Sequence, residues 1–65
     1  MTTTRYREIH ARATAALGTP EKATRWLGKP NRALDGQAPE TLLETDAGVT
    51  SVLQLLVRIE HGIVS

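Results

Sequence analysis

Catalysis at neutral pH would have to come from His10 and His61 working with some of the seven carboxylates, since the chain has no cysteine. The two histidines stand at opposite ends of the sequence. No His-x-x-x-His or Glu-x-x-His pair places two metal ligands on one helical face, and no glycine-rich loop offers to cradle a phosphate. A nucleophile with a base at recognisable spacing is missing as well. His10 flanks an apolar stripe and His61 falls on the polar side of the last predicted helix, so both read as structural or solvated residues. The expectation is a non-enzyme that uses neither cofactor nor metal.

Binding chemistry is better represented, and it gathers at the carboxyl end. In a helix over about Val49 to Glu60, the apolar residues Val49, Val52, Leu53, Leu55, Leu56, Val57 and Ile59 cover roughly 200° of arc. A helix that covers a single core needs about 100°. Part of this arc is therefore expected to be surplus, free either to be wrapped on both sides by the domain or to meet another chain. Glu60 projects near the middle of the same arc and close to the negative end of the helix, where the macrodipole disfavours a carboxylate. It calls for a cation: Arg25, Arg58, solvent, or a group on a partner.

The elements that must carry these residues are helical, because several stretches follow the i, i+3, i+4, i+7 spacing and none alternates over a strand's length. A first helix is predicted over about Thr4 to Leu17, with Tyr6, Ile9, Ala13, Ala16 and Leu17 on one stripe and Gly18 as its stop. The second starts at Pro20, with Thr19 as cap and Glu21 at its positive end, and stops at Gly28 after about two turns. Lys29 is held extended ahead of Pro30, and Asn31 caps a single turn that carries Ala33 and Leu34 to Gly36. A third helix is expected over about Pro39 to Thr45, ended by "DAG", and the fourth is closed by Gly62. The fold class is all-α, a small bundle of about four helices with short turns. Its predicted core is Trp26, Leu27, Leu34, Leu42, Leu43, Val52, Leu53 and Leu56, with Trp26 read as an anchor rather than a stacking platform.

Sixty-five residues make one domain, which buries only about 60% of the surface its unfolded chain exposes. At about 0.05–0.15 kcal/mol per residue the fold is worth roughly 3–10 kcal/mol. The absence of cysteine fits a reducing compartment, and neither a signal peptide nor a membrane span is visible, so the protein is expected in the cytoplasm. A formal charge of +1 nominates no polyanionic partner, although five of the eight basic residues lie between Arg5 and Arg25.

From Ala16 to Gly62 the sequence "ALGTPEKATRWLGKPNRALDGQAPETLLETDAGVTSVLQLLVRIEHG" closely resembles the toxin-binding domain of the Xre/MbcA/ParS antitoxin family. The likeness rests on "KA..WL" after a glycine, then "PN.AL.G..P..LL.T..G", then a terminal "L..RIE.G". Each piece is weak alone and specific in this order, and together they span about three quarters of the chain. On that basis residues 1–15 read as an N-terminal helical extension and 16–65 as the antitoxin domain. The resemblance implies a protein that binds and neutralises a RES-domain toxin, an NAD-consuming enzyme, by covering its active-site cleft. It assigns toxin binding to Arg58, Ile59, Glu60, Gly62, Ile63, Val64 and Ser65. Family members usually carry an Xre-like DNA-binding region ahead of this domain. Only the first helix stands there in this sequence, so the resemblance carries no DNA-binding residues onto it: either the domain is solitary or the sequence is part of a longer protein.

Two rival readings place the chain in other classes. In one, "TPEKATRWLGKPNRALDG" is a helix-turn-helix and the protein a transcriptional regulator of its operon. Against that, the helix after the turn is barely one turn long before Gly36, too short to present several side chains to a major groove. In the other the chain is a helical dimerisation module, and the surplus arc of the fourth helix meets its own copy to form a homodimer.

Overall fold

The first helix, α1, spans Thr2–Leu17 and ends where Gly18 turns left-handed at φ 107° and donates its N–H to the Thr14 carbonyl at 2.8 Å. It is the first element of the computed structural model, which describes residues 2–62. Its inward stripe buries Ile9 and Ala13, with Tyr6, Ala16 and Leu17 packed at the margin. His10 stacks on Tyr6, one turn earlier in the same helix, at 5.9 Å between ring centroids, and its Nε2 reaches out of α1 to lie 2.8 Å from the Thr24 hydroxyl.

The second helix, α2, spans Pro20–Leu27 and starts as its sequence dictates. Thr19 is extended and accepts the Lys22 N–H at 3.2 Å, Pro20 takes the first helical position, and Glu21 sits in the first turn. Ala23 and Leu27 are fully buried. The small buried residues Ala13 and Ala23 lie in the core where α1 and α2 pack together, and Leu27 is buried with them.

Two short 3-10 pieces make the long connection that follows. Arg32–Leu34 is a single turn capped by Asn31, whose side chain accepts the Ala33 N–H at 2.9 Å. Asp35 in the left-handed region and Gly36 at φ 81° reverse the chain, and Asn31 pairs with Gln37 to close the loop. Pro39–Glu44 winds as a 3-10 helix rather than the α-helical turns expected there, which suits a six-residue run begun by proline. It buries Pro39 and Leu43 and holds Leu42 half-buried.

The last helix, α3, spans Asp46–Glu60, and here the sequence reading needs correction. "DAG" does not end an element but forms the first turn of α3, capped by Thr45, whose hydroxyl accepts the Gly48 N–H at 3.0 Å. A glycine is needed at 48 for a packing reason: a β-carbon there would overlap the Leu42 carbonyl oxygen and lie 2.8 Å from the Leu42 carbonyl carbon. The first turn of α3 thus rests directly on the backbone of the Pro39–Glu44 segment.

The core joins all of these pieces. Leu27, Leu43, Val52 and Leu56 are buried in it with Ile9, Ala13 and Ala23, while Trp26, Leu34, Leu42 and Leu53 pack against it half-buried. Trp26 is thus a margin residue, as expected where a large indole sits in a bundle too small to enclose it. One long-range contact locks the frame. Arg5 donates to the Leu43 carbonyl at 2.8 Å and to Asp46 at 3.1 Å, fastening the start of α1 to the junction between the 3-10 segment and α3.

Candidate partner-binding surface

The periodicity of α3 decides which of its apolar residues point inward. Val52, Leu55 and Leu56 are buried and Ile59, on the same side, is half-buried. The apolar arc that is expected to be partly surplus includes Leu55, and the structure removes Leu55 from the surplus. It is 7% exposed and borders a cleft shared with Ala33 and Leu34, so the Arg32–Leu34 turn covers the side of α3 that the sequence left open. The surplus is confined to the opposite side.

There Val49, Leu53 and Val57 follow one another at successive turns, half-buried, half-buried and exposed. Val57, at 36%, is the large hydrophobic residue most open to solvent among the described residues. Leu53 and Val57 form a ridge between two open hollows. One, of about 520 Å³, lies between α1 and α3 with Ile9 and Val49 in its floor and Arg5, Glu8 and Arg12 at its rim. The other, of about 480 Å³, is bordered by Thr50, Gln54 and Arg58. An apolar ridge flanked by charges of both signs suits a protein partner better than a small molecule, which would need a more enclosed site.

Glu60 closes the ridge on the α1 side. Its Oε1 lies 3.8 Å from Arg12 Nη2, with the two side chains 42% and 53% exposed. The cation that answers this carboxylate is therefore Arg12 of α1, neither Arg25 nor Arg58. At that separation and exposure the pair contributes no more than about 1 kcal/mol, so either group can exchange partners cheaply. Arg58 is exposed on the other flank of Val57 and borders the second hollow. Gly62, at φ 71°, donates to the Ile59 carbonyl at 3.0 Å and terminates α3. Ile63, Val64 and Ser65 lie outside the described residues.

Of the residues assigned to partner binding from the sequence, Arg58 and Glu60 thus flank Val57, while Ile59 is half-buried on the side of α3 that carries Val52 and Leu55. Sequence reasoning did not single out Arg12, or that α1 borders one of the two hollows with Arg5, Glu8 and Arg12. Nothing local pairs Arg12 with Glu60; only the packing of α1 along α3 does. The helix-turn-helix alternative finds no support, because the element after α2 is the three-residue turn Arg32–Leu34. Among the described residues no group of His, Asp and Glu is arranged to hold a metal, and no helix is long and apolar enough to cross a membrane.

Residues 12–62 match the sequence model of the antitoxin Xre/MbcA/ParS C-terminal toxin-binding domain. The chain belongs to this family. Among curated relatives, Antitoxin Xre of Photorhabdus laumondii is 46% identical over 48 residues, which is 74% of this chain and 32% of the relative. Antitoxin Xre of Pseudomonas putida is 41% identical over 54 residues, 83% of this chain and 34% of the relative. Antitoxin Xre of Yersinia enterocolitica is 40% identical over 48 residues, again 74% and 32%. The chain therefore spans about a third of the length of these relatives. No solved structure matches it significantly. Membership as an Xre/MbcA/ParS C-terminal toxin-binding domain agrees with the all-helical fold.

Proposed function

We propose that this chain neutralises a RES-domain, NAD-consuming toxin in the cytoplasm without catalysis of its own, by laying the C-terminal end of α3 and the residues after it over the toxin's active-site cleft. The observation that supports this reading most directly is the exposed Val57 on the Leu53 ridge, bracketed by Arg58 and Glu60, in a domain of a toxin-binding family. Burying the ridge removes apolar surface from water, while the charges at its borders set orientation and choice of partner. Size permits it: a standard interface takes about 800 Å² per partner, roughly a fifth of the 4527 Å² this molecule exposes.

Glu60 has a defined part in this scheme. A cleft built to hold the phosphates of NAD presents cationic groups, and a carboxylate bound loosely by Arg12 can transfer to one of them as a charge-assisted hydrogen bond. Ile63, Val64 and Ser65 extend the covering surface beyond Gly62 in this proposal.

The test is inhibition of NAD consumption by a purified RES-domain toxin titrated with the chain. Glu60→Ala is expected to weaken inhibition by about tenfold, the effect of losing roughly 1.4 kcal/mol, with thermal unfolding nearly unchanged. An unaltered inhibition constant removes Glu60 from the mechanism. Failure of the wild-type chain to inhibit or co-purify with the toxin overturns the reading as a whole.

A further inference from the structure

The charged side chains around the apolar ridge of α3 differ in how firmly they are held. Arg5 is committed: it donates to the Leu43 carbonyl at 2.8 Å and to Asp46 at 3.1 Å, and its side chain is 36% exposed. Arg12 is loose by comparison. Its side chain is 53% exposed, and its ion pair with Glu60 spans 3.8 Å, beyond hydrogen-bond distance. Of the two cations on the rim between α1 and α3, Arg12 is therefore the one free to change partner.

The hollow of about 520 Å³ beside Arg12 is bordered by Val49, Leu53 and Val57 of α3 above the buried Ile9. It is continuous with the Leu53–Val57 ridge, so a surface that covers the ridge also closes over the hollow and over Arg12. That has an electrostatic consequence. When Glu60 passes to a cationic group of the toxin, as proposed, Arg12 is left behind. A guanidinium cannot shed its charge, and one that loses both its carboxylate and its water is strongly unfavourable. The exchange is favourable only if Arg12 gains a new acceptor. Glu8, one turn before it, is exposed and forms no ion pair within 4.0 Å among the described residues. A pair at that spacing on a helix surface is too weak to offset the loss.

We propose that Arg12 is a toxin-recognition residue: on docking it exchanges Glu60 for a carboxylate of the toxin, carried beside an apolar side chain that fills the hollow between α1 and α3. This rests on the toxin-binding reading and extends the contact from α3 onto α1. The partner must then answer two opposite charges at once, a cation for Glu60 and an anion for Arg12. A surface that offers only one of them leaves the other stranded, which selects among toxins.

Calorimetric titration of a purified RES-domain toxin with the chain tests this. Arg12→Ala is expected to weaken binding at least about tenfold, while circular dichroism shows the fold and melting temperature nearly unchanged. The double-mutant cycle with Glu60→Ala separates two roles for Arg12. If the two residues engage separate toxin groups, their losses multiply, to about a hundredfold for the pair. If Arg12 only orients Glu60, the double variant binds no worse than Glu60→Ala alone, and the proposal is overturned. A loss in Glu8→Gln equal to that in Arg12→Ala, and not added to it when the two are combined, assigns Arg12 to Glu8 and overturns it also. Val49→Thr keeps the shape of the hollow and adds a hydroxyl; binding is expected to weaken about fivefold, and unchanged affinity refutes an apolar occupant. A wild-type chain that fails to bind the toxin overturns the toxin-binding reading itself. Wild-type binding with Arg12→Ala unaffected overturns this inference alone.

Discussion

Gly48→Ala sets two opposite physical effects against each other in one methyl group. Within a helix, alanine is favoured over glycine by about 1 kcal/mol, so propensity alone makes the substitution stabilising. The packing argues the reverse, since the new β-carbon would overlap the Leu42 carbonyl oxygen and stand 2.8 Å from the carbonyl carbon and 3.1 Å from Leu42 Cβ. The obstruction is backbone, held by the buried Pro39 and Leu43, and cannot swing away as a side-chain tip would. Overpacking of this kind costs about 1–3 kcal/mol and sometimes more, and a backbone obstacle belongs at the upper end. The net expectation is a loss of about 2 kcal/mol, from a fold worth roughly 3–10. For a domain of this size that lowers the melting temperature by about 10–15 °C. Thermal unfolding followed by far-UV circular dichroism measures it, with Gly28→Ala as control, where the added carbon meets nothing nearer than 3.7 Å. A Gly48→Ala protein as stable as wild type, or more so, refutes the close packing of α3 on the Pro39–Glu44 segment.

Burial separates two neighbouring residues of α3 that the hydrophobic pattern treats alike. Leu55→Asp is expected to unfold the chain, since it places a carboxylate in a site 7% exposed. Val57→Asp is expected to shift stability by less than about 1 kcal/mol while weakening capture by the toxin; urea titration and a toxin pull-down read the two effects. Thr45→Ala removes the hydroxyl that accepts the Gly48 N–H at 3.0 Å, and a loss of about 1 kcal/mol is expected, read from a lower urea midpoint at unchanged slope.

Much of this architecture was legible because its signals are local. Thr19 before Pro20, Asn31 before a three-residue turn, and glycines at 18, 36 and 62 each act over a few residues, and the structure uses them as their chemistry suggests. Gly48 misled for an instructive reason. A glycine after Asp and Ala reads as punctuation, whereas its conformation in α3 is ordinary and its small size answers to Leu42, a neighbour that only packing reveals. Leu55 misled similarly, because a helical wheel shows how much of a helix is apolar but not that a separate turn bearing Leu34 will cover one side. At the candidate surface, Glu60 advertised its need for a cation through its position at the helix end, but the identity of Arg12 depends on how α1 lies along α3.

The grip of Arg5 on the Leu43 carbonyl and Asp46 bears on how this domain can be excised or transplanted. Family likeness begins at residue 12, so a boundary drawn from likeness alone would cut away Arg5 and with it the buried Ile9. The packed unit thus includes residues ahead of the stretch that the family model matches. Grafts, fusions and truncated versions should start ahead of Arg5 if the start of α3 is to keep its footing.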